Sequence, residues 1–351
     1  MAMVRTAEKS FYFQNIKSFM RVAMYYNNND VRIEEMPVPE IGENEILVRV
    51  MACGICGSDV MEWYRVKKAP RVLGHEATGV IEKVGKNVKK YKKGNRVFVS
   101  HHVPCGKCKY CLNNEHTVCD MLRTTNFDPG GFAQYVRVPE INVKRGVFLL
   151  PDEMSFEEGT FIEPLACVIR GQRKAGMKPG KSVFVIGSGI SGILHIQTAK
   201  ASGASKIFAS DINDYRLEAA KRFGADKVIN AKENTPIKAD LVIVCTSAVS
   251  AIKQAFKSAD RGGVILFFAP TKPGVEIPLQ LWELWHDGVT ITNSYAGSPK
   301  DIAEAIEIIR EKKINVKDMI THRLSLEEAG KGFQIVSKAE NSIKVIIEPN
   351  K

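Results

Sequence analysis

What this chain lacks narrows it before any motif is read. No uninterrupted apolar stretch in its 351 residues is long enough to span a bilayer, so no membrane role is expected. A charged-then-apolar leader is missing too. Met1–Ser18 mixes Arg5, Glu8, Lys9 and Lys17 with aromatic side chains, and a cytoplasmic location is expected. There is no internal repeat and no low-complexity tract beyond one short lysine run. Blocks of single-sign charge are short as well. The net charge is +11, yet the basic residues are spread, and the densest run, Lys86–Lys93, reads as a solvated turn between strands. No nucleic-acid partner is expected. The positive potential would favour an anionic cofactor instead.

Cysteine is the informative presence. Of eight, four fall in Cys105-x-x-Cys108-x-x-Cys111-x7-Cys119, on a loop with Pro104, Gly106 and Lys109. In a reducing compartment such packing argues for metal rather than disulfides. Four thiolates suit a closed tetrahedral zinc with no position left for chemistry, hence a structural ion. An iron–sulfur cluster is the alternative for the same ligands. Cys53, Cys167 and Cys245 read as small buried apolar residues.

The chain is organised around Ser182–Gly192, SVFVIGSGISG. Ser182–Ile186 has the pattern of a buried parallel strand. Gly187, Gly189 and Gly192 follow as G-x-G-x-x-G, and Ile193–Ala201 continues with helical spacing. Gly187 serves the tight turn, Gly189 the approach of a pyrophosphate, and Gly192 close helix–strand packing, and the following helix presents its N-terminus to the phosphates; Ile190 counts with these glycines as a cofactor-binding residue. A further strand, Lys206–Ser210, leads to Asp211, about 20 residues beyond the fingerprint, where an acid binds an adenosine ribose. No arginine follows Asp211 directly, so NAD is expected over NADP. His195, inside the helix, reads as a packing or solvent-face residue.

Around this centre the texture divides. Short strands with Gly and Pro turns before about Met154 suggest an irregular β-barrel. One helix is expected over Phe156–Gly176. Strands at Lys206–Ser210, Lys227–Ile229, Leu241–Val244, Val264–Phe268 and Thr290–Ser294 alternate with helices after the fingerprint, as a doubly wound sheet requires. Ile343–Glu348 alternates again and is expected to return to the first unit.

A second ligand set is scattered: Cys56 in GICGSD, His75 and Glu76 in GHE, and Glu163 in EPLA. Thiolate, imidazole and carboxylate are what a catalytic zinc uses while keeping one position open. GICGSD, GHE-x2-G, the Cys105–Cys119 lobe, GGFAQYV, EPLA and GSGISG together resemble, in content and order, the zinc-dependent medium-chain dehydrogenases. The likeness points to the polyol (sorbitol) and threonine dehydrogenase branch.

That resemblance implies an α/β enzyme: a GroES-like β-barrel catalytic domain and a Rossmann domain inserted into it. The expected bounds are 1–19 for an extension, 20–165 for the first catalytic part with its zinc lobe at 100–120, 166–295 for the Rossmann domain and 296–351 for the returning part. It implies Cys56 and His75 as zinc ligands, Glu163 as a carboxylate ligand where simple-alcohol enzymes carry cysteine, and Glu76 as an acid able to exchange onto the metal. Ser58 would take the alcohol proton, Asp59 would fix a ligand imidazole, and Arg216 would lie near the adenosine. Many relatives carry histidine where this chain has Met61, so the proton relay must leave by another route; His101 and His102 are titratable but read as decoration of the lobe entrance. The expected reaction is oxidation of a secondary alcohol in a polyol, cyclitol or sugar derivative, with zinc and NAD as cofactors and a homo-oligomeric assembly. A threonine-type amino-alcohol oxidoreductase is the alternative, and a non-catalytic dinucleotide-binding protein the alternative of another class.

Overall fold

The computed structural model describes residues 18–351 except 234 and 340; the expected extension therefore lies largely outside the described residues. In chain order the strands are β1 (Phe19–Asn27), β2 (Asp30–Pro37), β3 (Ile46–Gly54), β4 (Arg71–Val72), β5 (Glu76–Val84), β6 (Arg96–Ser100), β7 (Tyr135–Val138) and β8 (Val147–Leu149). Then come β9 (Ser182–Ile186), β10 (Lys206–Asp211), β11 (Lys227–Asn230), β12 (Ala239–Val244), β13 (Ala259–Phe267), β14 (Thr290–Asn293), β15 (Ile320–Ser325) and β16 (Lys344–Glu348).

β9 to β14 form one six-stranded parallel sheet in the order β11-β10-β9-β12-β13-β14. The central strands β9 and β12 are buried along nearly their whole length, which is why they are written in Val and Ile without alternation. Strand order reverses between β9 and β12, the place where such sheets open a ligand crevice at the carboxyl ends of their strands. The expected doubly wound sheet is thus present.

The first unit is a seven-stranded sheet, β15-β16-β3-β5-β6-β8, with β7 also paired to β3, beside the smaller sheet β2-β1-β4. β16 returns as expected and inserts between β3 and β15. A shared core joins the two units. Phe98 of β6, Phe161 and Leu165, and Ile193 of the glycine-turn helix pack with Ile302 and Ile306 in one buried cluster. The cleft between the sheets is therefore floored by packed side chains rather than by a loose linker.

One expectation fails. The helix over Phe156–Gly176 is broken into Phe156–Gly159 and Ile162–Lys174. Pro164 has no N–H for the carbonyl of Thr160, so a continuous helix would lose that bond. At the first turn of a new helix the same lack costs nothing. The break swings Glu163 to the start of the second helix, facing the cleft. Among the described residues no helix is long and apolar enough to cross a membrane.

Candidate active site and metal centres

β3 ends at Gly54, and the following turn is closed by Asp59 N–H donating to Cys56 O at 2.9 Å. The Asp59 carboxylate, fully buried, accepts from Cys56 N–H at 3.0 Å and lies 3.4 Å from His75 Nδ1. Ser58 N–H points to Cys56 Sγ at 3.4 Å. His75 is delivered by Gly74, whose φ of +91° favours glycine, and Glu76 opens β5. The ligand atoms of Cys56, His75 and Glu76 all lie within 4.8 Å of one another. Glu163 is not in that tight set.

Each charge here has a physical counterpart. Burial opposes ionisation of Asp59, but His75 and Arg65 outweigh it and lower its pKa. Burial likewise opposes a charged His75, yet the Asp59 carboxylate and then Cys56 hold the imidazole well above its ordinary range. Burial, followed by the Glu76 charge, raises Glu163. Burial depresses His101 well below the ordinary value and His102 to about 4.

Two residues not singled out from sequence, and one read there as apolar, complete the site. Lys344, on β16, is fully buried and forms an ion pair with Glu76, its ammonium 5.1 Å from the centre of the Phe161 ring. A Cβ at Gly54 would collide with both partners of that pair, so the first glycine of GICGSD is a packing requirement. Arg65 donates from Nε to the Ser58 carbonyl at 2.8 Å and from Nη2 to Ser58 Oγ at 3.0 Å and Asp59 Oδ1 at 3.4 Å. Cys167, read from sequence as a small apolar residue, donates S–H to Glu163 Oε1 at 3.4 Å. A lone lysine in the apolar run of β16 and the i, i+4 spacing of Glu163 and Cys167 were the available signals. His101 and His102 do more than decorate an entrance. Their rings lie 3.8 Å apart between centroids, tilted by 33°, and His101 lies 4.8 Å from the His75 ring. With Glu163, Ala296 and Gly297 they line a small cavity.

The donor set fits zinc. Lys344 engages one oxygen of Glu76, while Oε1 is buried without a partner. An orphaned carboxylate oxygen beside a thiol and an imidazole marks a cation site. The four-cysteine lobe fits as well: the sulfurs of Cys105, Cys108, Cys111 and Cys119 lie within 4.8 Å of one another. Backbone N–H groups of Lys107 and Cys108 reach Cys105 Sγ at 3.4 and 3.3 Å, and in that order pull its pKa down to about 6. The lobe is tied to helix Ile162–Lys174 by Arg170 and Glu115, 3.1 Å apart.

At the glycine turn, Gly187 has φ +95° and donates to Ser210 O at 2.8 Å. A Cβ on Gly192 would strike the Gly187 carbonyl. Gly189 caps the helix that Ile190 begins, and its missing Cβ would lie 3.7 Å from the Arg216 guanidinium. Arg216 Nε is buried without a partner. Asp211 accepts from Ser188 N–H at 2.7 Å and Asn213 N–H at 3.0 Å, so its carboxylate is fixed at the strand end. Unpaired N–H groups of the first helical turn, a bare backbone and an unsatisfied guanidinium suit a dinucleotide pyrophosphate. His195 is buried within the unit, 3.2 Å from Gln172 Nε2 through its Nδ1, and takes no part in either site.

A GroES-like barrel with a mixed-ligand metal site, opening onto a dinucleotide crevice, defines a zinc-dependent dehydrogenase. Comparison with known proteins agrees. The alcohol dehydrogenase GroES-like domain matches residues 42–152, and the zinc-binding dehydrogenase domain matches residues 191–311. Sorbitol dehydrogenase of Bacillus subtilis is 31% identical over 353 residues, covering 95% of this chain and 98% of that protein. L-threonine 3-dehydrogenase of Bacillus velezensis is 32% identical, covering 90% and 95%. Among solved structures, the alcohol dehydrogenase of Thermus sp. ATN1 superposes with a TM-score of 0.83 at 28% identity, covering 94% and 99%. The chain belongs to the zinc-dependent alcohol dehydrogenase family.

Proposed function

We propose that this enzyme oxidises a secondary alcohol of a neutral polyol, cyclitol or sugar derivative to the ketone, with hydride transfer to NAD. The observation that carries the reading is the convergence of Cys56, His75 and the orphaned Glu76 oxygen beside Ser58, at the crevice of the dinucleotide sheet. Cys56 and His75, with a carboxylate from Glu76 or Glu163, would hold the catalytic zinc; Cys105, Cys108, Cys111 and Cys119 would hold the structural one. When bound, zinc polarises the substrate oxygen and NAD accepts the hydride.

The chain's own residues supply the rest. Ser58 Oγ takes the alcohol proton, and the Arg65 guanidinium holds that hydroxyl in place. Asp59 fixes the His75 ring. Gly187, Gly189, Ile190 and Gly192 receive the pyrophosphate, with Arg216 beside it, and Asp211 takes the ribose diol, disfavouring a 2′-phosphate. Met61, in the outer relay position, cannot carry the proton, which must leave by another route.

Two features favour a neutral polyol over a sugar acid. Arg65 is already committed to three acceptors, so it is not free to take a substrate carboxylate. His101 and His102 are held neutral by burial, and each has a buried Nδ1 without a partner, suited to substrate hydroxyls. The similarity to threonine dehydrogenases supports an amino-alcohol substrate as the second reading. Comparing kcat/KM for sorbitol, xylitol, inositol, a sugar acid, threonine and ethanol decides: a clear preference for ethanol overturns the proposal, and one for threonine transfers it to the second reading.

The assembly we infer is a homo-oligomer in the cytoplasm. β14 is an open sheet edge, and exposed Leu281, Trp282 and Trp285 lie on the helix just before it. Bare edges and large apolar patches are ordinarily covered. Sedimentation of Trp282→Lys, expected to dissociate the assembly, tests this.

A further inference from the structure

We propose that Cys167 is a positioning residue for the catalytic metal site, tying one oxygen of Glu163 to its own helix so that the other stays presented to the metal. This rests on reading Glu163 as a zinc ligand. Glu163 and Cys167 stand one turn apart on Ile162–Lys174, and the thiol donates to Oε1 at 3.4 Å. Both side chains are partly buried, and among the described residues no hydrogen bond reaches Glu163 Oε2.

The two carboxylates of the site are tethered differently. Glu76 is held by a buried ammonium, whereas Glu163 is held by a thiol, a weak donor. A weak tether orients a carboxylate without competing for its charge. Lysine at the same place would bind Glu163 away from a metal, and an apolar side chain would leave its rotamer unset. A group that steers a ligand in this way changes metal affinity by about 10–100-fold when removed.

The test measures zinc release from the purified holoenzyme by chelator competition, together with the visible spectrum of protein carrying cobalt at the catalytic site. Cys167→Ala and Cys167→Val should both weaken the more labile zinc by about 10–100-fold and shift the cobalt bands. Cys167→Ser, which keeps a donor, should restore most of the affinity. In a Glu163→Gln background, Cys167→Ala should add nothing further. Wild-type affinity in Cys167→Val, or Cys167→Ser as weak as Cys167→Ala, would overturn the proposal. So would additive losses in the double variant. If Glu163→Gln alone leaves affinity unchanged, the ligand reading falls and the proposal with it. If Glu163→Gln weakens zinc while the Cys167 variants do not, only the proposal falls. The infrared S–H stretch of the unmutated chain gives a measurement independent of how well the Cys167 variants fold. It should move to higher frequency in Glu163→Gln, and an unmoved band would refute the thiol–carboxylate bond.

Discussion

Replacing Lys344 with methionine removes a charge and leaves the volume nearly intact. Glu76 then keeps a carboxylate with no solvent and no counter-ion, because both partners of the pair are essentially inaccessible. Removing one partner of a buried ion pair costs about 3–5 kcal/mol, since the remaining charge is uncompensated. Loss of the ammonium over Phe161 adds up to about 2 kcal/mol. A metal beside Glu76 would offset part of the penalty, so the holoenzyme should show the lower end of the range and the chelated protein the upper end. Urea denaturation followed by circular dichroism measures both. Adding Glu76→Gln to Lys344→Met should recover most of the loss, because the orphaned charge is gone. A Lys344→Met protein within about 0.5 kcal/mol of the parent, the range of ordinary surface changes, would refute the reasoning.

Further outcomes follow from the same structure. Cys108→Ser should lower the zinc content from two per chain to one and depress thermal stability, because structural zinc contributes folding free energy; metal analysis finding a single zinc in fresh active protein would contradict the two-site reading. Asp211→Ser with Ile212→Arg should move coenzyme preference towards NADP, since Ile212 is exposed beside the fixed carboxylate; kcat/KM for the two coenzymes measures it, and an unmodified protein that prefers NADP would refute the role of Asp211. His195 is held neutral by burial, its pKa pushed down to about 3. A folded value below the unfolded one means its contribution is whole above about pH 6.5 and is lost as pH falls towards about 3. His195→Gln should therefore flatten the fall of stability with acidity by up to about 1.4 kcal/mol per pH unit, and an unchanged slope in urea titrations would count against it.

The fold was legible because its signals are local. Ser182–Ile186 followed by Gly187, Gly189 and Gly192 is a strand, a turn and a helix start in consecutive residues, and β10 to β14 carry their own apolar runs. The four-cysteine lobe is legible for the same reason. The broken helix at Thr160 was readable in principle from Pro164, but helical periodicity on either side masked it. What escaped depends on contacts between distant segments. Lys344 is one lysine among many until β16 slides between β3 and β15, and its partner lies 268 residues away. Arg65 looks like any basic residue on a short helix; only the fold turns it back onto Ser58. Cys167 reads in sequence as a small apolar residue, whereas the carboxylate one turn earlier gives it a hydrogen-bonding role.

The placement of β16 also sets an order of events during synthesis. Glu76 is made early, and its counter-charge follows only after the whole of the six-stranded sheet has been translated. That sheet is contiguous in the chain, so it can close on the ribosome while the first unit still lacks the strand beside β3. Until β16 arrives, Glu76 must stay hydrated, and the first unit must remain open around it. The nascent chain can therefore carry a finished nucleotide platform next to an unfinished metal pocket. Free metal meeting it at that stage would find Cys56, His75 and a solvated Glu76 without the geometry that selects among ions.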